Sequence, residues 1–167
     1  MDNAQHGIES FGNGELEKAK QAFLQCLTDL ELQDPNRATI QNNIGSIYCM
    51  QNEYQKAREI LCDALQEMQQ QGHPHEPICK TNVAWVHAKL GNLGEAEKTI
   101  HEVLTSYKKT HSHTDATVLH ARHTFGCILY QRKRYSEALT ALQDVLLSQS
   151  RWWIVALCSG VRFSSSG

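Results

Sequence analysis

Asn42-Asn43-Ile44-Gly45-Ser46-Ile47-Tyr48, followed by Tyr54-Gln55-Lys56-Ala57-Arg58-Glu59-Ile60-Leu61-Cys62-Asp63-Ala64, forms a two-part phrase that recurs along the chain. The first part places a glycine among apolar residues at helical spacing. Gln51-Asn52 then breaks the pattern, and the second part places an alanine three residues after an aromatic start. Four alanines mark the recurrence: Ala19, Ala57, Ala96 and Ala138. Three residues before them stand Leu16, Tyr54, Leu93 and Tyr135; four residues after them stand Phe23, Leu61, Ile100 and Leu142. Twelve residues before them stand the small residues Gly7, Gly45, Ala84 and Gly126. These coincidences predict four helix–turn–helix units. In each, the small residue of the first helix and the alanine of the second are expected to face each other, so that two antiparallel helices approach closely. A single pair cannot bury both faces, so the pairs are expected to stack into a solenoid.

The composition agrees. With 167 residues, 41% hydrophobic and 20% charged, the chain suits a soluble repeat protein with a sizeable core. Only three prolines interrupt long helix-forming stretches. The first pair is expected from Asp2 to Phe11 and from Glu15 to about Leu32, turning at Gly12-Asn13-Gly14. Asp34-Pro35-Asn36 closes it. The second runs from about Arg37 to Met50 and from Glu53 to Gln70, and a loop from Gln71 to Glu76 follows. The third runs from Pro77 to Leu90 and from Leu93 to Lys108, turning at Gly91-Asn92. The fourth starts with Asp115 as N-cap, runs from Ala116 to Arg132, and continues from Tyr135 to about Ser148. Residues 1–148 thus read as one repeat domain and 149–167 as an atypical tail. There Arg151-Trp152-Trp153-Ile154-Val155-Ala156-Leu157-Cys158 is apolar without helical periodicity.

The four phrases resemble tetratricopeptide repeats. Ile44-Gly45, Tyr48, Ala57, Leu61 and Ala64 carry the likeness most fully. Phe125-Gly126, Leu129, Ala138, Leu142 and Val145 follow, then Val83-Ala84, Ala96, Ile100 and Val103, with His87 where an aromatic or leucine is expected. The first repeat is the weakest, with Gly7, Ala19 and Phe23 fitting but not His6 or Ser10. The resemblance implies an all-α, right-handed solenoid of about four units. The marker alanines are 38, 39 and 42 residues apart, against about 34 for a bare repeat. The first excess is expected as an extra turn near Leu27 to Leu32, and the later ones as longer second helices plus loops. The long spacing, with Asn43 before Ile44 and Asn82 before Val83, resembles kinesin light chains and peptide-sensing bacterial regulators. In that subgroup asparagines of the first helices line the inner groove and hold a peptide backbone.

Carried onto this chain, the resemblance nominates Asn42, Asn43, Ser46 and Met50 in the second repeat. It nominates Thr81, Asn82, Trp85 and Lys89 in the third, and His123, Thr124, Cys127 and Tyr130 in the fourth. Asparagine both donates and accepts, so Asn43 and Asn82 suit an extended ligand read through its backbone. Trp85 and Tyr130 suit apolar anchoring. The family's basic clamp for a C-terminal carboxylate is missing: Ala4 and Ile8 stand at its positions in the first repeat, and Asn42 and Ser46 in the second.

Other function classes fare worse. A net charge of −2 with one basic turn, Arg132-Lys133-Arg134, argues against nucleic acid. No apolar run approaches the roughly 20 residues of a membrane span. The polar start Met1-Asp2-Asn3-Ala4-Gln5 carries no leader pattern. Six dispersed cysteines include no C-x-x-C arrangement; all but the last, Cys158, read as reduced thiols packed in helices and point to a reducing, cytoplasmic setting. No catalytic motif is present, and no cofactor is expected. The nine histidines include His120 and His123 one turn apart, but no motif fixes a third metal ligand, so no metal site is expected. The leading expectation is a non-enzymatic adaptor or scaffold that binds a peptide or helix of a partner protein. The alternative is a structural subunit docking through its ends and apolar tail, with self-association at the C-terminal end. The third is a metal- or pH-responsive regulator.

Overall fold

In the computed structural model, residues 3–31, 34–110, 115–143 and 145–146 are described. Seven helices are α1 (Asn3–Gly12), α2 (Leu16–Asp29), α3 (Arg37–Met50), α4 (Tyr54–Gln71), α5 (Glu76–Lys89), α6 (Leu93–Thr110) and α7 (Ala116–Gln131). An eighth, α8, covers 135–143 and resumes at 145–146. No strand occurs among the described residues. The expected apolar tail at 149–167 lies outside them.

The chain divides into two compact units, one ending at Val103 and the other beginning at Leu104. In the first, α1 packs on α2, α3 on α4, and the pairs stack through α2–α3 and α4–α5 contacts, with α3 also meeting α5. Its core has two clusters. Ala19, Phe23, Cys26, Ile40, Ile44 and Ile47 join the first two pairs. Ala38, Ala57, Leu61, Ala64, Met68, Cys79, Val83 and Val86 join the second to the third. The apolar residues of each helix therefore serve two partners, as a stacked repeat requires. In the second unit Val118, Ala121, Ile128, Leu129, Ala138 and Val145 are buried. Tyr107, on the last turns of α6, is buried and hydrogen-bonded to Thr117 of α7. Asp115 caps α7, accepting from the Thr117 backbone N–H at 2.9 Å and its hydroxyl at 2.6 Å.

Each of the three interior glycines of the first helices takes in a large side chain of the second helix. A Cβ added to Gly45 would lie 2.5 Å from Cγ of Leu61. One added to Gly7 would lie 2.6 Å from Cε1 of Phe23, and one added to Gly126 would lie 2.6 Å from Cγ of Leu142. The glycine thus receives the large residue one turn beyond the marker alanine. Ala19, Ala57, Ala96 and Ala138 are also all buried, because any larger side chain there would hold the helices apart.

The intra-pair turns share one backbone solution. Gly14, Asn52, Gly91 and Lys133 occupy the same register position and have φ of +77°, +61°, +84° and +63°. Glycine adopts this left-handed conformation freely and asparagine tolerates it, whereas lysine meets a Cβ–carbonyl clash there. The repeat spacing is also accounted for. α4 and α6 have 18 residues against 14 in α2, which supplies the expected lengthening. The first excess lies elsewhere: α2 ends at Asp29, and Leu30 is already extended with ψ 141°. The expected added turn is therefore absent at Leu30, and Leu32 lies outside the described residues.

Two substitutions should move stability in opposite directions. Gly45→Ala forces its Cβ onto buried Leu61 and should cost about 1–3 kcal/mol. Lys133→Gly should stabilise by roughly 0.5–1 kcal/mol, the relief at φ > 0 exceeding the added unfolded-state entropy. Urea midpoints of the two variants, read against the parent chain, check both.

Candidate functional site

Within the first unit, α3 and α5 present the residues nominated in the second and third repeats, and they are linked by hydrogen bonds. The Asn82 amide nitrogen donates to Asn42 Oδ1 at 2.9 Å and to Ser46 Oγ at 3.2 Å. The Ser46 hydroxyl donates to the Asn42 carbonyl at 2.9 Å. Ser46 has one proton and directs it there, so its oxygen accepts from Asn82, which fixes the orientation of the Asn82 amide. Both Asn82 Nδ2 protons are then engaged, and Oδ1 is left as an acceptor.

Asn43 stands at the same register position as Asn82 but differs in its state. It is half-buried, and its side chain has no hydrogen-bond partner among the described residues. The reason lies in the preceding repeat, where Ala4 and Ile8 occupy the positions of Asn42 and Ser46. Neither side chain offers an acceptor, so Asn43 cannot make the bonds that Asn82 makes. Its donors and acceptor are left for water or a ligand.

Trp85 and Lys89 follow Asn82 by three and seven residues on the same face of α5. The Lys89 ammonium sits 4.4 Å from the Trp85 ring centroid, a cation–π distance. Met50 is 57% exposed at the end of α3. Ile8 on α1, in register with Ser46 and Trp85, is 54% exposed. The repeat register already pointed to Ile8, although from sequence its apolar side chain served only to exclude a carboxylate clamp.

Other nominated residues are placed differently. Asn42 is itself buried, serving as acceptor within the cluster. Thr81 and Thr124 are buried at 0% and 1% exposure. Thr81 bonds back to the Pro77 carbonyl at 2.9 Å, so both threonines fill core space a valine would fill. His123 and Tyr130 are exposed on α7, in the second unit. Tyr130 packs edge-on against Tyr135 with centroids 5.4 Å apart.

None of the five described cysteines is in a disulfide. Burial pushes Cys79 up to about 12 and Cys49 up to about 11, so both stay protonated and inert at neutral pH. Cys62 departs from the expectation of packed thiols, since it is exposed on α4. No set of three or more His, Cys, Asp or Glu side chains able to hold a metal occurs among the described residues.

Two non-overlapping family models of the tetratricopeptide repeat match residues 37–70 and 78–146, together more than half of the chain. The chain belongs to the tetratricopeptide repeat family. Its fold is shared with a single-substitution variant of the kinesin light chain nearly identical TPR-like repeats of Podosopora anserina. That match has TM-score 0.67 and 18% identity, over 90% of this chain and 74% of that one. BtubC (BKLC) from P. vanneervenii matches with TM-score 0.69 and 20% identity, over 87% of this chain and 60% of its own. Rap protein complexed with competence and sporulation factor matches with TM-score 0.72 and 19% identity, over 90% of this chain and 42% of that one. No curated protein matches the chain in sequence. These likenesses establish an all-α helical-repeat fold. No described helix is long and apolar enough to cross a membrane.

His120 of α7 carries a pH dependence. It is an exposed residue, and nearby protein desolvates its ring. That desolvation, and secondarily the charge of neighbouring His123, holds His120 below its ordinary 6.5. The unfolded chain therefore takes up this proton first. The stability contribution is complete above about 6.5 and is lost as pH falls through the folded value. His73, lowered by desolvation and His75, acts with the same sign. NMR titration should place the His120 midpoint below 6.5. His120→Gln should shrink, without abolishing, the fall in melting temperature between about pH 7 and pH 5.

Proposed function

We propose that the chain is a non-enzymatic adaptor or scaffold whose first-helix face on α3 and α5 binds an extended segment of a partner protein. The observation that carries this is the unequal pair of asparagines. Asn43 has an unpartnered amide among the described residues, and Asn82 has its amide protons engaged by Asn42 and Ser46, which leaves Oδ1 as an acceptor. A peptide backbone presents alternating N–H and C=O groups. Asn82 then accepts from a ligand N–H, while Asn43 both accepts and donates one rung away. Such contacts read no sequence, and Trp85, Lys89 and Ile8 supply the side-chain discrimination. His123 and Tyr130 of the second unit offer the partner contacts of their own; Thr124, being buried, does not. The Rap structure, solved as a complex with competence and sporulation factor, supports the reading by analogy of fold. On this reading no cofactor, nucleic acid or membrane is involved, and the protein works in the cytoplasm.

The test is affinity capture followed by mass spectrometry. Asn43→Ala should weaken capture of the partner more than about tenfold, as expected when a ligand's buried polar groups lose their partner. Adding Asn82→Ala should abolish capture while the helical circular dichroism stays unchanged. Full capture by a folded double variant would refute the reading.

One observation favours a structural-subunit role as a second reading. On α8, Tyr135, Leu139 and Leu146 are 56%, 58% and 60% exposed, and their spacing puts them on one face. An apolar stripe of this kind suits end-to-end docking. In that case Leu139→Lys with Leu146→Lys would abolish the association seen by sedimentation, and the asparagine variants would leave it intact.

A further inference from the structure

The side chains of His123 and Cys127, one turn apart on α7, stand with Nε2 and Sγ 3.8 Å from each other. A tetrahedral zinc ion has Zn–S of about 2.3 Å and Zn–N of about 2.0–2.1 Å, so its two ligand atoms lie roughly 3.6 Å apart. The pair is thus almost at the bite of a zinc chelate, reached without moving the backbone. The i, i+4 spacing on a helix is the one that brings two ligands onto a single ion. His123 is exposed and Cys127 half-buried, so an ion can enter from solvent while the thiolate side is partly shielded. The ligand types, imidazole and thiolate, select borderline-soft cations over calcium or magnesium.

We infer that His123 and Cys127 form a two-point chelate for a zinc-class divalent cation. On binding, the Cys127 thiol releases its proton to solvent as the S–Zn bond forms, and His123 contributes the lone pair of Nε2. No third His, Cys, Asp or Glu side chain is arranged with them among the described residues, so the remaining positions fall to water or to a donor brought by a bound partner. The chelate lies on α7, in the second unit, and uses none of the asparagine-face residues of α3 and α5.

Cobalt titration of the full chain tests this, because thiolate ligation gives a charge-transfer band in the near ultraviolet. The parent chain should show one saturable band that zinc displaces. Cys127→Ser should abolish it, His123→Ala should weaken cobalt binding more than about tenfold, and Cys62→Ser, which alters another accessible thiol, should leave it unchanged. Circular dichroism establishes that each variant is folded. Absence of a band in the parent chain, its survival in Cys127→Ser, or its loss in Cys62→Ser overturns the proposal.

Discussion

The fold depends on how closely two helices of a pair can approach, and that is set by the missing Cβ of Gly45 beneath Leu61. The same relation holds between Gly7 and Phe23 and between Gly126 and Leu142. A glycine in a helix interior costs roughly 1 kcal/mol of propensity. The chain accepts that cost three times because the groove so opened takes in a large apolar residue. Once the pair is closed, the outer sides of its helices remain apolar. Ile40, Ile44 and Ile47 must then be covered by the pair before, and Val83 and Val86 by the pair before them. Stacking follows from closure.

Stacking in turn creates the polar cluster. Asn82 reaches Asn42 and Ser46 only because α5 lies beside α3. The difference between Asn82 and Asn43 is an end effect: each rung takes its partners from the repeat before, and the first repeat supplies Ala4 and Ile8. An asparagine whose amide is satisfied inside the protein serves the architecture. One left half-buried and unpaired carries a desolvation cost that a ligand backbone can offset. The cluster is therefore structural at one rung and open at the other.

Much of this is legible in the sequence because it rests on local rules. Helix starts and ends, the turn positions and the Asp115 cap follow from residue chemistry within a few positions, and the four-fold register follows from repetition. What was not legible depends on helix rotation and on neighbours distant in sequence. Spacing marked Gly45 and Ala57 as the point of close approach, but did not show that Leu61 lies over the glycine. Leu27 to Leu32 looks helical, yet Leu30 is extended. Thr124 occupies a position where Thr and Val are nearly the same size, so polarity suggested a surface and packing gave a core. The bond from Asn82 to Asn42 spans 40 residues, and nothing in either repeat by itself announces it. Cys62 followed the pattern of packed thiols but lies on the outer side of α4.

The central claim is that the α3 and α5 face holds a partner's backbone through Asn43 and Asn82. Hydrogen exchange of the full chain, with and without its affinity-captured partner, tests it most directly. The account predicts that protection on binding concentrates in peptides covering Asn42 to Met50 and Thr81 to Lys89. Protection confined to α8, or to the second helices α2, α4 and α6, would contradict it.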